Sequence, residues 1–534
     1  MQSAVELPSP SEGFWASLDD RSVFSPHAAA ARLWHVAEGV ERAGVGKVTD
    51  AVKARAYKSL VELLRHHSRD GQGYLRAVHQ YNQLAPSLGG QSLRADEAWA
   101  QQVIKSNNEF MAQLEQDLRH CTVSQIKESC RLAMDRIIRQ AAQAHDFSLA
   151  LQWYTCGQGS GRPGMQGISY RERQVLQKVV ANGQYAEMYI NMCELAVLIG
   201  KASDVHLFAA KVSQILSDTP SIPNVGSLRA AVSCLQGLCS AANGAYSTAA
   251  NALTKVNMHD VPPAAASLLC GSLGGLVSVG TSCTTAVLCR IASANTRAQL
   301  KEGIACDADA AVQAGNSSSG LLRVLCEYPR LQDLVDSVVD CRYAQCLARV
   351  DEYVKDLVYD PLIGHRAYAI GRCARMRCLT DYCSAFREVP LQRIARDLGY
   401  TNVEALEPDL EAAIQGKILL PGGAEEKLFT YVNGRIDLQA GVLRAVEADP
   451  REKMKEMLEV ACGPTGLAAN LQKAVSEFNL RQTPPKNDTF GESLEPRTRS
   501  PSTERRHDDD VGEVDPDVSM SEGNSPSPVA QANE

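Results

Sequence analysis

The residues in this sequence that could most readily bind a metal or act as nucleophiles are its cysteines, of which there are 17. Several recur five positions apart: Cys234/Cys239, Cys341/Cys346 and Cys373/Cys378/Cys383. A structural zinc site usually needs two cysteines separated by only two to four residues, together with a second such pair. The wider spacing favours small buried side chains on helices. We therefore assign no metal-binding residue.

Other catalytic patterns are also missing from the sequence. The 11 histidines include one adjacent pair, His66-His67, but no HxH or HExxH arrangement that could hold a catalytic zinc ion. There is no GxSxG nucleophile elbow and no GxxxxGK[ST] phosphate loop. The stretch GQGSGRPG lacks the strand and the Lys-Ser/Thr pair that flank a phosphate loop. We assign no catalytic or cofactor-binding residue and predict a protein that is not an enzyme and needs no cofactor.

The composition predicts a mostly α protein. Of 534 residues, 45% are apolar but only 5% are aromatic, a balance typical of stacked helices. Residues 482–534 hold 12 acidic and 5 basic side chains, so they contribute −7 of the net charge of −8. The remaining 50 acidic and 49 basic residues nearly cancel. A nearly neutral body disfavours a nucleic-acid partner, because nothing in it neutralises phosphates.

The N-terminus, MQSAVELPSPSEGFWASLDD, lacks the basic and apolar regions of a secretory signal. We therefore expect an intracellular protein with reduced thiols. Residues 261–289 carry no charge and are long enough to cross a bilayer. However, the stretch begins near Pro262-Pro263 and is diluted by Gly, Ser and Thr. We interpret it as a loop followed by a buried helix and predict no membrane partner.

Helical segments separated by small polar turns recur through the middle of the chain. An aromatic or branched residue opens the second helix of each hairpin, at Phe147, Val205, Tyr246 and Tyr343. Such hairpins cannot bury their apolar faces alone, so neighbours must stack into a solenoid. Insertions at 157–170 and 309–319 are rich in Gly and polar residues and are interpreted as surface loops.

A small domain of different character follows. Two apolar helical faces are predicted: Leu391, Ile394, Ala395 and Leu398, then Val403, Leu406, Leu410, Ala413 and Ile414. Residues 417–420 are predicted as a strand, 421–427 as a hairpin tip and 428–432 as the returning strand. Two helices followed by a two-stranded wing describe a winged helix. Pro408 is unfavourable inside a helix but favourable at its first position, so an alternative interpretation is that the regular second helix begins at Pro408.

The second of these helices carries four acidic residues: Glu404, Glu407, Asp409 and Glu411. A helix that reads DNA needs basic or amide side chains facing the groove. Acidic residues in a first turn also simply stabilise the helix dipole. Either way, the domain is predicted to bind protein, through the open edges of its wing strands.

The C-terminal region divides into a helical and a disordered part. Thr465 can cap a helix with an apolar stripe that needs a partner: Leu467, Leu471, Val475 and Phe478. Beyond Arg481 the chain has too few apolar residues to fold. Four residues there precede prolines and are candidate phosphorylation sites, although the composition of the tail makes chance the favoured explanation of such dipeptides: Thr483, Ser500, Ser525 and Ser527.

The predicted fold is therefore mostly α, a right-handed TPR-like helical-repeat solenoid followed by a winged helix. The predicted parts are a disordered N-terminus (1–25), N-terminal helices (26–120), the solenoid (121–378), the winged helix (379–436), C-terminal helices (437–481) and a disordered acidic tail (482–534).

This order of parts, together with several segments, resembles the PCI-domain subunits, and among them the subunit 1 family of the COP9 signalosome. The segments are SQIKESCRLAMD (124–135), YINMCELAV (189–197), CRYAQCLARVDEY (341–353), YDPLIGHRAYAIGRCARMRCLTDYCSAF (359–386) and VEALEPDLEAAIQGKIL (403–419). The collinear order over residues 30–440 is a stronger signal than any one of them.

The resemblance implies a noncatalytic scaffold subunit that supports cullin deneddylation and so regulates cullin-RING ubiquitin ligases. Its partners would be other PCI subunits and the metalloprotease-type subunits of the complex, in nucleus and cytoplasm. By the resemblance, subunits meet through wing strands, here Ile418, Leu419, Phe429, Tyr431 and Val432, and through a bundle of C-terminal helices, here Leu467, Leu471, Val475 and Phe478. The alternatives are a PCI subunit of the proteasome regulatory lid and a nucleic-acid-binding winged-helix regulator.

Overall fold

The computed structural model describes residues 6–446, apart from 21–22, 125–126, 155–181, 219–224, 258–259, 261–277, 302–303, 305–320, 322–324, 326, 420–424 and 429. Within these residues the protein is mostly α-helical, with small antiparallel sheets near residue 446, which confirms the predicted fold class. The insertions at 157–170 and 309–319, most of the predicted C-terminal helices and the acidic tail lie outside the described residues.

The N-terminal part is a set of packed helices. They are α1 (Glu12–Asp19), α2 (Pro26–Trp34), a π-helical turn (His35–Gly39), α3 (Val40–Arg42), α4 (Asp50–His67), α5 (Gly71–Leu84), a 3-10 turn (Ala85–Leu88) and α6 (Glu97–Ser124). Along this series α2 packs on α4, α4 on α5, and α5 on α6.

The predicted disorder of residues 1–25 is wrong for α1. Ser11 caps this helix by accepting a hydrogen bond from the Phe14 N–H, and Trp15 and Leu18 are buried. The Ser11 hydroxyl donates to Asp356 at 2.6 Å. A contact to a residue 345 positions away is invisible to local composition, which is why composition did not indicate this helix.

The helical repeats continue from α6 to the winged helix. They are α7 (Lys127–Gln143), α8 (Phe147–Tyr154), α9 (Asn182–Ile199), α10 (Ala202–Asp218), α11 (Val225–Ala242), α12 (Tyr246–Lys255), α13 (Val279–Ser293), α14 (Arg297–Lys301), α15 (Pro329–Val339), α16 (Tyr343–Leu357) and α17 (Gly364–Ser384). From α6 to α13 successive helices pack on each other, as do α15, α16 and α17. Helix α17 crosses the predicted domain boundary at 378/379.

Four hairpins of this series share one turn. The residue in the left-handed conformation is His145, Gly200, Gly244 or Cys341, and the next helix begins two residues later. In each turn this residue and the one after it donate backbone hydrogen bonds to the last turn of the preceding helix. The sequence motif at Phe147, Tyr246 and Tyr343 therefore marks a true structural repeat. Val205 is offset, because Ala202 holds the equivalent position.

His145 also joins the repeats to the N-terminal helices. Its Nε2 lies 2.8 Å from the Nδ1 of His27 on α2, and its ring stacks on Phe147. Burial lowers the pKa of His27 to about 4 and that of His145 to about 3. Both rings are therefore neutral near pH 7.

The last described part is the winged helix. It consists of β1 (Glu388–Pro390), α18 (Leu391–Leu398), α19 (Val403–Gln415), β2 (Lys417–Leu419), β3 (Glu425–Lys427), β4 (Gly434–Asp437) and β5 (Val442–Ala445). β2 pairs only with β3, whereas β1, β5 and β4 form a three-stranded antiparallel sheet in that order. The predicted inner faces of α18 and α19 are confirmed, since their central residues are buried.

Two strand predictions are wrong. The strand that pairs with β2 is 425–427 rather than 428–432, and β5 occupies residues predicted as C-terminal helix. The winged helix accordingly extends to Ala445 rather than 436. The charged residue Glu426 faces inward, where it pairs with Arg366 at 3.3 Å. Because this inward position is charged rather than apolar, the sequence of β3 lacks the apolar/polar alternation by which a strand is recognised. No helix in the described part is both long and apolar enough to cross a membrane.

Candidate subunit-docking surface

Helix α17 fixes the winged helix on the last repeats through its arginines. Arg366 pairs with Glu426 of β3 at 3.3 Å. One turn and a half further along, Arg372 Nη1 donates to the Leu419 carbonyl oxygen of β2 at 2.7 Å. Its other terminal nitrogen lies 3.4 Å from Asp409 of α19. Because one helix holds three elements of the domain, their positions relative to the repeats are set by side chains as well as by the chain connection.

A second group of contacts holds the loop between α18 and α19. The Tyr400 hydroxyl donates to Asp409 at 2.9 Å, and Arg375 lies over the Tyr400 ring. Burial raises the pKa of Tyr400, so the phenol stays protonated as a donor. Arg375 in turn contacts Asp351 of α16 at 2.7 Å. The loop is thereby tied to two helices of the repeat region.

The acidic helix α19 divides into structural and exposed carboxylates. Asp409 serves the contacts just described, whereas Glu404 and Glu411 are exposed. The helix begins at Val403, with Asn402 as its N-cap. The interpretation that it begins at Pro408 is wrong, because that residue lies inside it. The carboxylates that face solvent would repel DNA, as the sequence suggested.

The three-stranded sheet was not predicted and forms the actual wing. Leu443 on β5 faces the core between Val389 on β1 and Ile436 on β4. The alternation of inward and outward residues along 434–445, with Gly441 at the turn, was the sequence signal that could have revealed it. Among the strands that the structure describes, β4 lies at an edge of this sheet, and edge backbone groups can pair with another chain.

The structure separates the predicted interface residues into two kinds. Leu419 and Tyr431 are exposed by 63% and 60%, so a partner could reach them. Ile418 and Val432 are 0% and 6% exposed and belong to the core of the chain, which corrects their assignment as contact residues. Leu438, exposed by 72% at the turn between β4 and β5, is a candidate that sequence reasoning missed.

The remaining predicted site residues lie outside the described residues. These are Phe429, Leu467, Leu471, Val475 and Phe478, and the candidate phosphorylation sites Thr483, Ser500, Ser525 and Ser527.

Most of the described cysteines are core residues, whereas Cys121 and Cys341 are half-buried. Cys346 on α16 and Cys378 on α17 place their sulfur atoms 3.8 Å apart in a buried contact. Burial raises the pKa of Cys373 to about 12 and that of Cys383 to about 12, so neither is an activated thiol. Among the described residues, no cluster of three or more His, Cys, Asp or Glu side chains has the geometry of a metal site.

Comparison with known proteins gives a distant relative. No protein-family model matches the chain. The chain is 22% identical over 382 residues to COP9 signalosome complex subunit 1b of Drosophila melanogaster. The match covers 70% of this chain and 61% of that protein, so the chain spans less than two thirds of the relative's length. The similarity agrees with the resemblance that the sequence motifs indicated.

Proposed function

We propose that this protein is a noncatalytic scaffold subunit of a COP9 signalosome. The observation that carries the proposal is the order of the fold, in which helical hairpins joined by one repeated turn lead into a winged helix whose β4 is an edge strand among the described residues. This architecture offers extended surfaces for protein partners. The similarity to COP9 signalosome complex subunit 1b supports the signalosome as the complex in this proposal.

In this role the chain has a structural, noncatalytic part in an assembly that removes a ubiquitin-like modifier from cullins. Its partners are other subunits with helical repeats and winged helices and a metalloprotease-type subunit that supplies the chemistry. The exposed apolar residues of the winged helix, Leu419, Tyr431 and Leu438, are the proposed contact points. When a partner covers large apolar side chains on a surface, their removal from water favours binding. Presence in both nucleus and cytoplasm belongs to the same proposal.

A tagged full-length chain expressed in its own organism tests the assignment. Gentle affinity purification and mass spectrometry should recover signalosome subunits, including the metalloprotease-type subunit, in a fixed stoichiometry. Recovery with the ATPase ring of the proteasome would instead identify a regulatory-lid subunit. Recovery as a monomer would refute a scaffold role.

A pair of variants tests the surface. Leu438→Asp should strongly reduce recovery of the sister subunits, because it places a charge where an apolar contact is proposed. Leu207→Asp is the matched control, since Leu207 is 54% exposed on α10, outside the winged helix. Both variants should keep the circular dichroism spectrum of the wild type. Equal recovery with both variants would exclude the wing tip as a contact.

A further inference from the structure

A cavity of about 540 Å³ lies between the N-terminal helices and the turns of the first repeats. Its walls come from α2 and the π-helical turn, from the start of α5, and from the turns that precede α8 and α10. The volume lies within the range of small-molecule sites, about 300 to 1,000 Å³. A scaffold role leaves this cavity without a task.

Two polar atoms of residues that line the cavity lack hydrogen-bond partners among the described residues. One is Nδ1 of His145, whose side chain is only 5% exposed. The other is Oδ2 of Asp70, since Oδ1 accepts from the Gly73 N–H at 2.7 Å. The two atoms lie 3.7 Å apart, which is too far for a direct hydrogen bond. A buried polar atom without a partner is unfavourable, so a group that bonds to both atoms would stabilise this corner of the cavity.

The contact of His145 with His27 indicates what kind of group fits. His145 Nε2 lies 2.8 Å from His27 Nδ1, and one of these nitrogens donates to the other. We assign the proton to His145 Nε2, because an N–H at Nδ1 would be drawn to Asp70 within hydrogen-bond distance. His145 Nδ1 is then an acceptor, as Asp70 Oδ2 is. One donor nitrogen can lie about 2.9 Å from both atoms, and an ammonium group has the N–H donors to bond to each.

The charges around the cavity also favour a cation at this corner. Two of the three lining arginines, Arg42 and Arg76, share the carboxylate of Glu38, and the third is buried in an ion pair of its own. Neither Asp70 nor Asp146 has a Lys or Arg side chain within ion-pair distance in the described part of the chain. Burial raises the pKa of Asp70, and the nearby Asp146 carboxylate adds to the rise. A positive charge between them would offset both effects.

Other parts of the wall are apolar. They include the side chains of Ala28, Phe147, Val197 and Ile199. An alkyl chain that ends in a charged nitrogen places its stem on such a surface and its tip on polar groups. The cavity offers both kinds of wall.

We propose that this cavity binds an alkylammonium group, as carried by a lysine side chain or a free polyamine, with its nitrogen between Asp70 and His145. The inference goes beyond the scaffold function and does not depend on it. A single water molecule is the competing occupant, because it would also bridge the two atoms. Water, however, leaves the charges of Asp70 and Asp146 uncompensated.

The test measures the melting temperature of the full chain at pH 7 and constant ionic strength. The probes are n-butylammonium chloride, sodium butyrate and n-butanol, which share an alkyl chain and differ in charge. Only butylammonium should raise the melting temperature, and its concentration dependence gives the dissociation constant.

Variants at helix caps separate the charge from the fold. Asp70→Asn should weaken butylammonium binding about tenfold, because the amide still caps α5 at the Gly73 N–H but carries no charge. The matched control is Asp96→Asn, since Asp96 caps α6 at the Trp99 N–H in the same way but lies outside the cavity. It should change binding less than about twofold. His145→Asn keeps the left-handed backbone and removes the ring acceptor, so it should weaken binding as well.

Two further readouts complete the test. The melting temperature of Asp70→Asn without a probe should equal or exceed that of the wild type, because a neutral amide replaces a poorly solvated carboxylate. Tighter binding of spermidine than of N-acetyl-lysine methylamide would identify a free polyamine as the ligand. The reverse order would identify a lysine side chain of a partner protein.

Other results would overturn the inference. Equal stabilisation by butylammonium and n-butanol, no stabilisation by any amine, or equal effects of Asp70→Asn and Asp96→Asn would refute the cation site and leave water as the occupant. None of these results would affect the scaffold role, which the affinity purification tests separately.

Discussion

We predict that the free energy of unfolding falls markedly in mild acid, because three histidines, His27, His35 and His145, are largely removed from water. His27 and His145 share a hydrogen bond at the junction of the N-terminal helices and the repeats, with Asp70 3.7 Å from His145. His35 is half-buried nearby, and its partial removal from water lowers its pKa to about 4, as it does for His27. A protonated imidazole in any of these positions would be a poorly solvated charge.

The size and sign of the effect follow from the pKa shifts. In the unfolded chain each histidine titrates near 6.5, so between pH 6.5 and about 4 the unfolded state binds more protons than the folded state. The stabilisation is therefore fully present above pH 6.5 and is lost as the pH falls, by up to about 1.4 kcal/mol per pH unit for each site. From pH 7 to pH 5 each site costs about 2 kcal/mol.

In the unfolded chain His27 and His145 each bind a proton near pH 6.5, whereas the folded pair binds neither above about pH 4, so both count as sites. Together with His35, the wild type should lose about 6 kcal/mol of unfolding free energy over this range. The double variant His27→Asn/His145→Asn should lose only about 2 kcal/mol, since only the His35 site remains. Asn tolerates the left-handed conformation that residue 145 adopts, with φ of 58°.

Urea unfolding followed by circular dichroism at pH 7 and pH 5 measures these differences. The matched control is His66→Asn/His67→Asn, which alters an exposed adjacent pair at the end of α4 and should keep the wild-type pH dependence. A double variant at 27 and 145 that is as acid-sensitive as the wild type would refute the assignment. So would a wild type that loses less than about 1 kcal/mol.

Two further predictions concern the packing of the chain. Arg32→Ala should cost about 3 to 5 kcal/mol in chemical unfolding, because it leaves the buried Asp360 carboxylate without the guanidinium group that lies 3.0 Å from it. Arg32→Met/Asp360→Asn should recover much of this loss, because the amide is uncharged and its oxygen can still accept from the Leu362 and Ile363 N–H groups. A double variant no more stable than the single one would show that the ion pair is not the cause. Gly237→Ala should cost about 1 to 3 kcal/mol in thermal unfolding, since the added Cβ would lie 2.5 Å from Leu253 Cγ. Gly226→Ala on the same helix meets nothing within 4 Å and should stabilise by up to about 1 kcal/mol, so similar effects of the two substitutions would contradict the packing argument.

The helices and their inner faces could be predicted from sequence because they depend on local periodicity. The face Leu391, Ile394, Ala395 and Leu398 is buried as its spacing indicates. The hairpin turn was also recognisable, since its polar residues and the aromatic residue that follows lie within a few positions of each other. The acidic character of α19 depends on residue type alone, so the sequence was sufficient to disfavour DNA binding by this helix.

The candidate docking surface could be predicted only in part. Leu419 and Tyr431 are exposed as expected, but Ile418 and Val432 are buried, and Leu438 was missed. An apolar residue in a strand pattern can face either a partner or the chain's own core, and sequence alone does not distinguish these cases.

Residue types and their spacing were enough to predict a succession of amphipathic helices followed by a small winged helix, and to show that the common catalytic motifs are missing from the sequence. The contact of α1 with Asp356 through Ser11 and the pairing of β1 with β5 became visible only in the folded chain. The tertiary structure also decided that Arg366 is neutralised within the chain by Glu426. The physical reason is range: helical periodicity repeats every few residues, whereas these contacts join residues that lie from about 50 to several hundred positions apart in the chain.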